Sequence, residues 1–237
     1  MYSYDFRVGF SQSDDSRLMT IPAMIDMFQD CSCFHSDDLG VGFDYLIPID
    51  LVWIINYWEV EISRRPKYGE HLTVGTFPYD FKGFLGYRNF CLKTVGTDSE
   101  YLVKANSLWV LMDWKNMRPA KVTEEMKNAY ENEEKLDMTY SSRKVLIPDV
   151  PGEHLETVTV GRHHLDSNGH VNNGQYIKIA MGSLTYPDNL TRLRAEYREQ
   201  AHLGDEITPV LYRTDSSMVI ELTGRAGNTY TVIELKY

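Results

Sequence analysis

Tyr68-Gly69-Glu70-His71-Leu72-Thr73 returns near the other end of the chain as Leu203-Gly204-Asp205-Glu206-Ile207-Thr208. Each copy carries a glycine, an acid and then the start of an alternating pattern, with a strand pattern before it and a long hairpin pattern after it. Gly96 and Gly224 mark corresponding turns further on. The chain reads as one unit, a helix plus an antiparallel sheet, used twice.

Around the first copy the elements are legible. Val52, Ile54, Asn56, Trp58, Val60 and Ile62 alternate with Trp53, Ile55, Tyr57, Glu59 and Glu61, which predicts a long strand whose first half is covered on both faces. Ile21, Met24, Ile25 and Phe28 recur at helical spacing, so a buried helix is expected from a Thr20 cap to about Phe34. Further strands are expected at 71–77, 86–94 and 102–112, with Gly96-Thr97-Asp98 turning a hairpin. Thr123 to about Leu136 is polar and reads as an exposed connecting helix. The expected organisation is a first lobe at 1–120, a connector at 121–150 and a second lobe at 151–237.

The second lobe opens on Arg162-His-His-Leu-Asp-Ser-Asn-Gly-His-Val-Asn-Asn-Gly-Gln-Tyr-Ile-Lys-Ile-Ala-Met-Gly-Ser-Leu184. Asp166, Asn168 and His170 alternate along an extended, glycine-broken segment, which would turn three polar side chains to one side. Asn172 or Asn173 can cap the following helix, whose buried stripe is Tyr176, Ile177, Ala180, Met181 and Leu184. Superposing the repeats sets Arg64 opposite Glu199, Arg65 opposite Gln200, and Asp15-Ser16-Arg17-Leu18-Met19 opposite Asp166-Ser167-Asn168-Gly169-His170. Reactive polar types survive in the second copy alone, so chemistry is expected there and support or binding in the first.

Composition narrows the classes. Of 237 residues 43% are hydrophobic, enough to bury a sizeable core, and the net charge of −10 without a Lys/Arg tract argues against a nucleic-acid surface. Cys31, Cys33 and Cys91 form no metal-ligand spacing and leave an odd thiol, the usage of a reducing compartment; they read as small buried apolar residues. The first residues carry neither a signal-peptide pattern nor an Arg/Ser-rich transit pattern, and the longest apolar run, Leu51 to Asn56, is far short of a membrane span. A cytoplasmic protein without a membrane span is the expectation.

Leu165-Asp166-Ser167-Asn168-Gly169-His170-Val171-Asn172-Asn173, with Tyr176 and with Glu199 before Gly204-Asp205, resembles the acyl-acyl carrier protein thioesterase family, bacterial relatives of the plant fatty-acyl thioesterases. The first half resembles it too, in Phe28-Gln29-Asp30, Leu39-Gly40, Trp53, Arg64-Arg65-Pro66 with Gly69-Glu70, Arg88-Asn89-Phe90, Trp109 to Asp113, and Met117-Arg118-Pro119. The resemblance implies an α+β fold, a double hotdog of two tandem helix-wrapped antiparallel sheets in one chain. It implies fatty acid biosynthesis and lipid metabolism, with hydrolysis of the thioester between a fatty acyl chain and the phosphopantetheine arm of acyl carrier protein. Carried over by position, the catalytic set is Asp166, Asn168, His170 and Glu199. Plant members have a cysteine directly after that glutamate; Gln200 stands there, which excludes a cysteine nucleophile at this place.

Thioester hydrolysis needs a nucleophile at the carbonyl carbon, donors for the oxyanion, and a proton for a leaving thiolate whose pKa near 8.5 makes that demand mild. Glu199 can activate water or attack as a carboxylate, and the sequence leaves both open. Asn168 can orient the water or hold the thioester oxygen; His170 can donate to that oxygen or shuttle a proton; Asp166 can fix the geometry of either. Helix N–H groups near Asn172 and Asn173 would complete an oxyanion site.

No cofactor is expected, and no metal, because His163 and His164 would point to opposite faces of a strand. His35, His71, His154 and His202 read as surface or loop residues, and Tyr57 and Trp53 as core. The carrier protein is acidic in the family, so local cations near the pantetheine entrance are expected among Arg162, Lys178, Arg192, Arg194 and Arg198. Two competing readings are a hotdog thioesterase acting on acyl-CoA and a catalytically silent acyl-binding module. A homodimer and a monomer whose fused lobes already supply the pairing are both compatible with the sequence.

Overall fold

A computed structural model of the protein describes residues 1–96, 100–166, 169–182, 184 and 189–237. The chain divides into a first unit, Met1–Asn56 with Val60–Tyr140, and a second, Tyr57–Glu59 with Ser141–Tyr237. Residues 121–150 are thus divided between the two, with 121–140 in the first.

The first unit is built on α1 (Ile21–Asp38) and the strands β1 (Tyr2–Arg7), β2 (Leu51–Ile62), β3 (His71–Lys82), β4 (Leu85–Thr94), β5 (Tyr101–Asp113) and β6 (Arg118–Pro119), ordered β1-β3-β4-β5-β2 with β6 paired to β5. Thr20 caps α1 as its sequence position predicts, its hydroxyl accepting from Ala23 N at 3.3 Å. Ile21, Met24, Ile25 and Phe28 are fully buried, and the Phe28 ring lies 5.3 Å from Phe90 on β4. At about 2 kcal/mol for each buried side chain, this stripe is the main adhesion between helix and sheet. The helix continues a turn beyond Phe34, where Ser36 bonds the Tyr130 hydroxyl at 2.7 Å.

Two expectations, one for β2, whose Tyr57–Glu59 belong to the second unit, and one for the connecting helix, are corrected. The half of β2 covered on both faces is the second: Leu51 to Ile54 are half-buried, whereas Tyr57, Trp58, Glu59 and Val60 are all buried. Glu59 breaks the polar-out alternation because charged and hydrogen-bonding partners meet it inside, as described below. The connecting helix is short, α3 (Glu124–Ala129), capped by Thr123 through Met126 N at 3.1 Å; the still shorter α2 (Phe43–Leu46) precedes β2. Glu131, Glu133 and Glu134 would place negative charge at the wrong end of a longer helix dipole. Instead Tyr130 turns extended, and Leu136 N finds Asn89 Oδ1 on β4 at 3.0 Å. Met126 and Tyr130 are buried, so the segment is not wholly exposed.

The second unit has β7 (Glu153–His154), β8 (Val158–Thr159), α4 (Asn173–Gly182), β9 (Arg192–Tyr197), β10 (Glu206–Arg213), β11 (Ser217–Gly224) and β12 (Thr229–Lys236). The order is β9-β12-β11-β10-β7, with β8 also on β10. Tyr176, Ile177, Ala180 and Met181 are buried, and the Tyr176 ring lies 5.9 Å from Tyr197 and 6.5 Å from Tyr230. Leu184 falls beyond the helix, its N–H on Met181 O at 3.1 Å.

The repeat is visible bond by bond. Gly69 (φ 79°) and Gly204 (φ 86°) each need the left-handed conformation just before β3 and β10 begin. Gly69 N donates to Val8 O and Val8 N to Glu70 O at 2.9 and 3.0 Å; Gly204 N donates to Val160 O and Val160 N to Asp205 O at 3.0 and 2.8 Å. Met19 N on Pro66 O and Val171 N on Ala201 O, at 2.7 and 3.1 Å, keep Arg64 opposite Glu199 and Arg65 opposite Gln200.

The helix-entry turn, however, is one residue out from the sequence match. Leu18 N bonds Asp14 Oδ1 at 3.0 Å and Asp14 N bonds Leu18 O at 2.9 Å; His170 N bonds Asp166 Oδ1 at 3.2 Å and Asp166 N bonds His170 O at 2.8 Å. Asp14, not Asp15, is therefore the counterpart of Asp166. Asp15-Ser16 imitates Asp166-Ser167 in letters, but the turn is defined by the carboxylate that takes the N–H four residues on.

In the first unit this turn is clamped. The buried Arg65 guanidinium donates to Met19 O at 3.0 Å and Leu18 O at 3.1 Å and pairs with the Asp14 carboxylate. Gln200, its counterpart, is exposed. Arg65→Gln is expected to destabilise the first unit by about 3 kcal/mol, since a buried pair is broken and two carbonyls lose a donor. An unchanged urea midpoint would show the clamp to be idle.

Candidate active site

The described residues that open α4 close on one another, Asp166 against His170, where an extended alternation of these two was expected. Leu165 bridges to Val171, Gly169 N donates to Asp166 O at 3.1 Å, and Gly169 supplies φ 79°. Asp166 closes the turn by accepting from His170 N, so the two side chains originate from the opposite ends of one tight loop. Asn168, with Ser167, lies outside the described residues.

Asn172 caps α4: its Oδ1 accepts from Gly174 N at 2.8 Å, and its carbonyl takes Gln175 N at 2.9 Å and Tyr176 N at 3.3 Å. The cap thus engages Gly174 N, one of the N–H groups expected to serve an oxyanion. Asn173 O accepts from the Tyr197 hydroxyl at 3.0 Å, which ties the helix start to β9.

Glu199 arrives just past the end of β9. Arg198 N and Glu199 N both donate to Tyr230 O, at 2.8 and 3.2 Å, and Ala201 N donates to the Tyr176 hydroxyl at 2.7 Å. With Val171 N on Ala201 O, these bonds lay the 199–202 segment along the Asp166 to His170 turn. The Glu199 carboxylate is exposed, and its Oε2 accepts from Asn228 Nδ2 at 2.8 Å.

His202, read from sequence as a surface or loop residue, is exposed, but its ring lies 4.9 Å from His170, edge to face. Its N–H bonds Asp205 Oδ2 at 2.8 Å, and the Tyr230 hydroxyl donates to the same oxygen at 3.2 Å. The signal that could have found it is its place in the repeat, opposite Lys67 and just before the left-handed glycine. Burial first, and His202 second, push the His170 pKa below the ordinary 6.5, with Asp166 opposing them. His170 is therefore neutral at neutral pH, and its contribution to stability is lost as pH falls through the ordinary value, because the unfolded chain takes the proton first. His202→Ala is expected to raise the His170 pKa, since a like charge is removed; an NMR titration of the His170 ring that stays put would contradict this.

His163 and His164 do not face opposite sides of a strand. They lie in a single 3-10 turn, Arg162–His164, with ring centroids 4.0 Å apart, and His164 Nδ1 accepts from Gly161 N at 3.0 Å. Among the described residues, no three His, Cys, Asp or Glu side chains form a group able to hold a metal ion. His35 is not a surface residue either: it stacks on Tyr2 at 5.0 Å and bonds Arg88 Nη1 at 3.0 Å, and burial together with the Arg88 charge lowers its pKa to about 4.

Of the five expected cations, three are engaged within the unit. Arg192 pairs with Glu59; Arg194 bonds Glu234, Ser142 O and Lys144 O; Arg198 pairs with Glu196 at 3.0 Å. Arg162 and Lys178 are exposed; burial first, then His163 and the Lys178 charge, lower the His164 pKa. Burial pushes Cys31 up to about 12 and Cys33 and Cys91 up to about 11, so none is a ready thiolate. No helix among the described residues is long and apolar enough to cross a membrane.

Residues 1–130 match the family model of the acyl-ACP thioesterase N-terminal domain. The palmitoyl-acyl carrier protein thioesterase, chloroplastic, of Gossypium hirsutum is 26% identical over 215 residues, 84% of this chain and 52% of that protein. The oleoyl-acyl carrier protein thioesterase 2, chloroplastic, of Arabidopsis thaliana is 24% identical over 249 residues, 96% of this chain and 67% of that one. The chain spans about half the length of the first of these relatives. Two solved structures superpose over 99% of this chain and 96% of their own, each at 20% identity: an acyl-ACP thioesterase from Bacteroides thetaiotaomicron, TM-score 0.86, and the 12:0-ACP thioesterase from Umbellularia californica, TM-score 0.84. That likeness establishes the fold as the double hotdog expected from the sequence.

Proposed function

The chain belongs to the acyl-ACP thioesterase family, and from that membership we propose that the protein hydrolyses fatty acyl-acyl carrier protein, releasing free fatty acid and holo-carrier protein. Water attacks the thioester carbonyl while the Glu199 carboxylate takes its proton; the carbon–sulfur bond then breaks, and the pantetheine thiolate leaves and is protonated. His170, neutral at neutral pH, shuttles a proton to the departing sulfur or donates to the carbonyl oxygen, and Asp166 holds the turn that presents it. Asn168 enters from the sequence alone, as the donor to the thioester oxygen.

The observation that carries this reading is the Val171 N to Ala201 O bond, which runs the Glu199 segment beside the Asp166 to His170 turn. The first unit has the same backbone bond but offers Arg64 where the second has Glu199. An acidic carrier protein would be met by the exposed Arg162 and Lys178 beside that turn; Arg198 is held by Glu196 and contributes less.

The test is thiol release from octanoyl, dodecanoyl, palmitoyl and oleoyl carrier protein, with the matching CoA esters in parallel. Turnover of the carrier-protein esters well above that of the CoA esters is expected. Equal turnover would point to an acyl-CoA thioesterase, and no release from either series to a silent acyl-binding module.

A further inference from the structure

We propose that Asn228, at the end of the hairpin turn between β11 and β12, is a positioning residue that aims the Glu199 carboxylate. The inference rests on the functional reading above and adds to it a residue on a different element. An exposed glutamate samples several rotamers, and a base has to hold one lone pair toward its water. The amide of Asn228 donates to Oε2 at 2.8 Å, which fixes the plane of the carboxylate and leaves Oε1 for the proton.

The hairpin is built to put that amide there. Gly224 N donates to Asn228 O at 2.8 Å and Gly227 N to Gly224 O at 2.9 Å, with Gly227 at φ 81° and a register shift between Leu222 and Thr223. A Cβ on Gly224 would stand 2.3 Å from Asn228 Oδ1, so only glycine leaves room for the side chain where it is. Two residues on, Tyr230 takes the Arg198 and Glu199 N–H groups on its carbonyl, so one strand end holds the glutamate by its backbone and by its side chain. From the same residue the Tyr230 hydroxyl reaches Asp205, whose other donor is the backbone of His202, the neighbour of His170. The hairpin therefore spans both ends of the proposed site.

Asn228→Ala is expected to lower kcat about tenfold with KM changed by no more than about twofold, because aim is lost and binding is not. Asn228→Asp, of the same shape, sets a like charge against Glu199 and raises its pKa. The acid limb of the kcat profile then moves to higher pH, since the base must be ionised to act. That shift reads how near position 228 stands to the Glu199 carboxylate, and the kcat loss at unchanged KM reads the aim, which a purely structural asparagine would not supply. Gly224→Ala, which displaces the amide without changing it, should reproduce the kcat loss of Asn228→Ala. Should Asn228→Ala melt early, Asn228→Ser, whose short hydroxyl falls short of Oε2, carries the same test of kcat against KM. Parent kcat and an unmoved acid limb in the Asn228 variants, with Glu199→Gln inactive, overturn the positioning role alone. Parent activity in Glu199→Gln overturns the functional reading and this inference with it.

Discussion

Glu199→Gln is expected to lower kcat by about 10² to 10⁴ with the fold intact, the range a positioned general base supplies. The substitution keeps size and hydrogen-bonding capacity, and Asn228 can still meet the remaining carbonyl oxygen, so what is removed is the ability to take a proton. The carboxylate is exposed and bonds a neutral amide, so its loss leaves no buried charge behind. His170→Ala should fall in the same direction by at least about tenfold. Arg64→Ala tests the other copy: Arg64 holds Glu70 through a two-point ion pair, bonds at 3.1 and 2.6 Å, and its loss should leave turnover unchanged. Steady-state thiol release checks all three, and a Glu199→Gln enzyme at parental rate would refute the assignment.

The largest effect on stability is expected from Glu59. Its carboxylate is wholly buried, accepts from Ser141 N at 2.8 Å and the Tyr57 hydroxyl at 3.2 Å, and pairs with Arg192. Among the described residues, one buried donor of Arg192, Nε, is without a partner. Glu59→Ala would strand that guanidinium, and breaking a buried pair from one side costs about 3 to 5 kcal/mol. Urea denaturation of the second unit reads the loss. Replacing both partners by methionine should recover much of it, because two buried charges are then removed together. If the double variant is no better than the single, the loss lies in packing.

What could be read beforehand was local. The α1 stripe, the Thr20 and Asn172 caps, the strand alternation and the glycines before β3 and β10 each follow from a few neighbouring residues and their backbone needs. What could not be read was long-range. Glu59 looks like an outward charge until Arg192 arrives from β9. The polar run after Tyr130 looks helical until Asn89 offers its amide oxygen to Leu136. The match between Asp15-Ser16 and Asp166-Ser167 was a coincidence of letters that only the N–H partners of Asp14 and Asp166 could correct. Within the candidate site, Asp166, His170 and Glu199 were named from sequence; the His202 ring and the Asn228 amide were not, since each meets its partner across the fold.

The Arg65 clamp implies that two loops built on one plan breathe at different rates. With Leu18 O and Met19 O held by a buried guanidinium, the first loop can open only by stranding that cation, so its amide protons should resist exchange with heavy water. The second loop has the exposed, uncharged Gln200 at that place. Deuterium should reach His170 and Val171 well before Leu18 and Met19, leaving the loop proposed for catalysis more adaptable than its clamped counterpart.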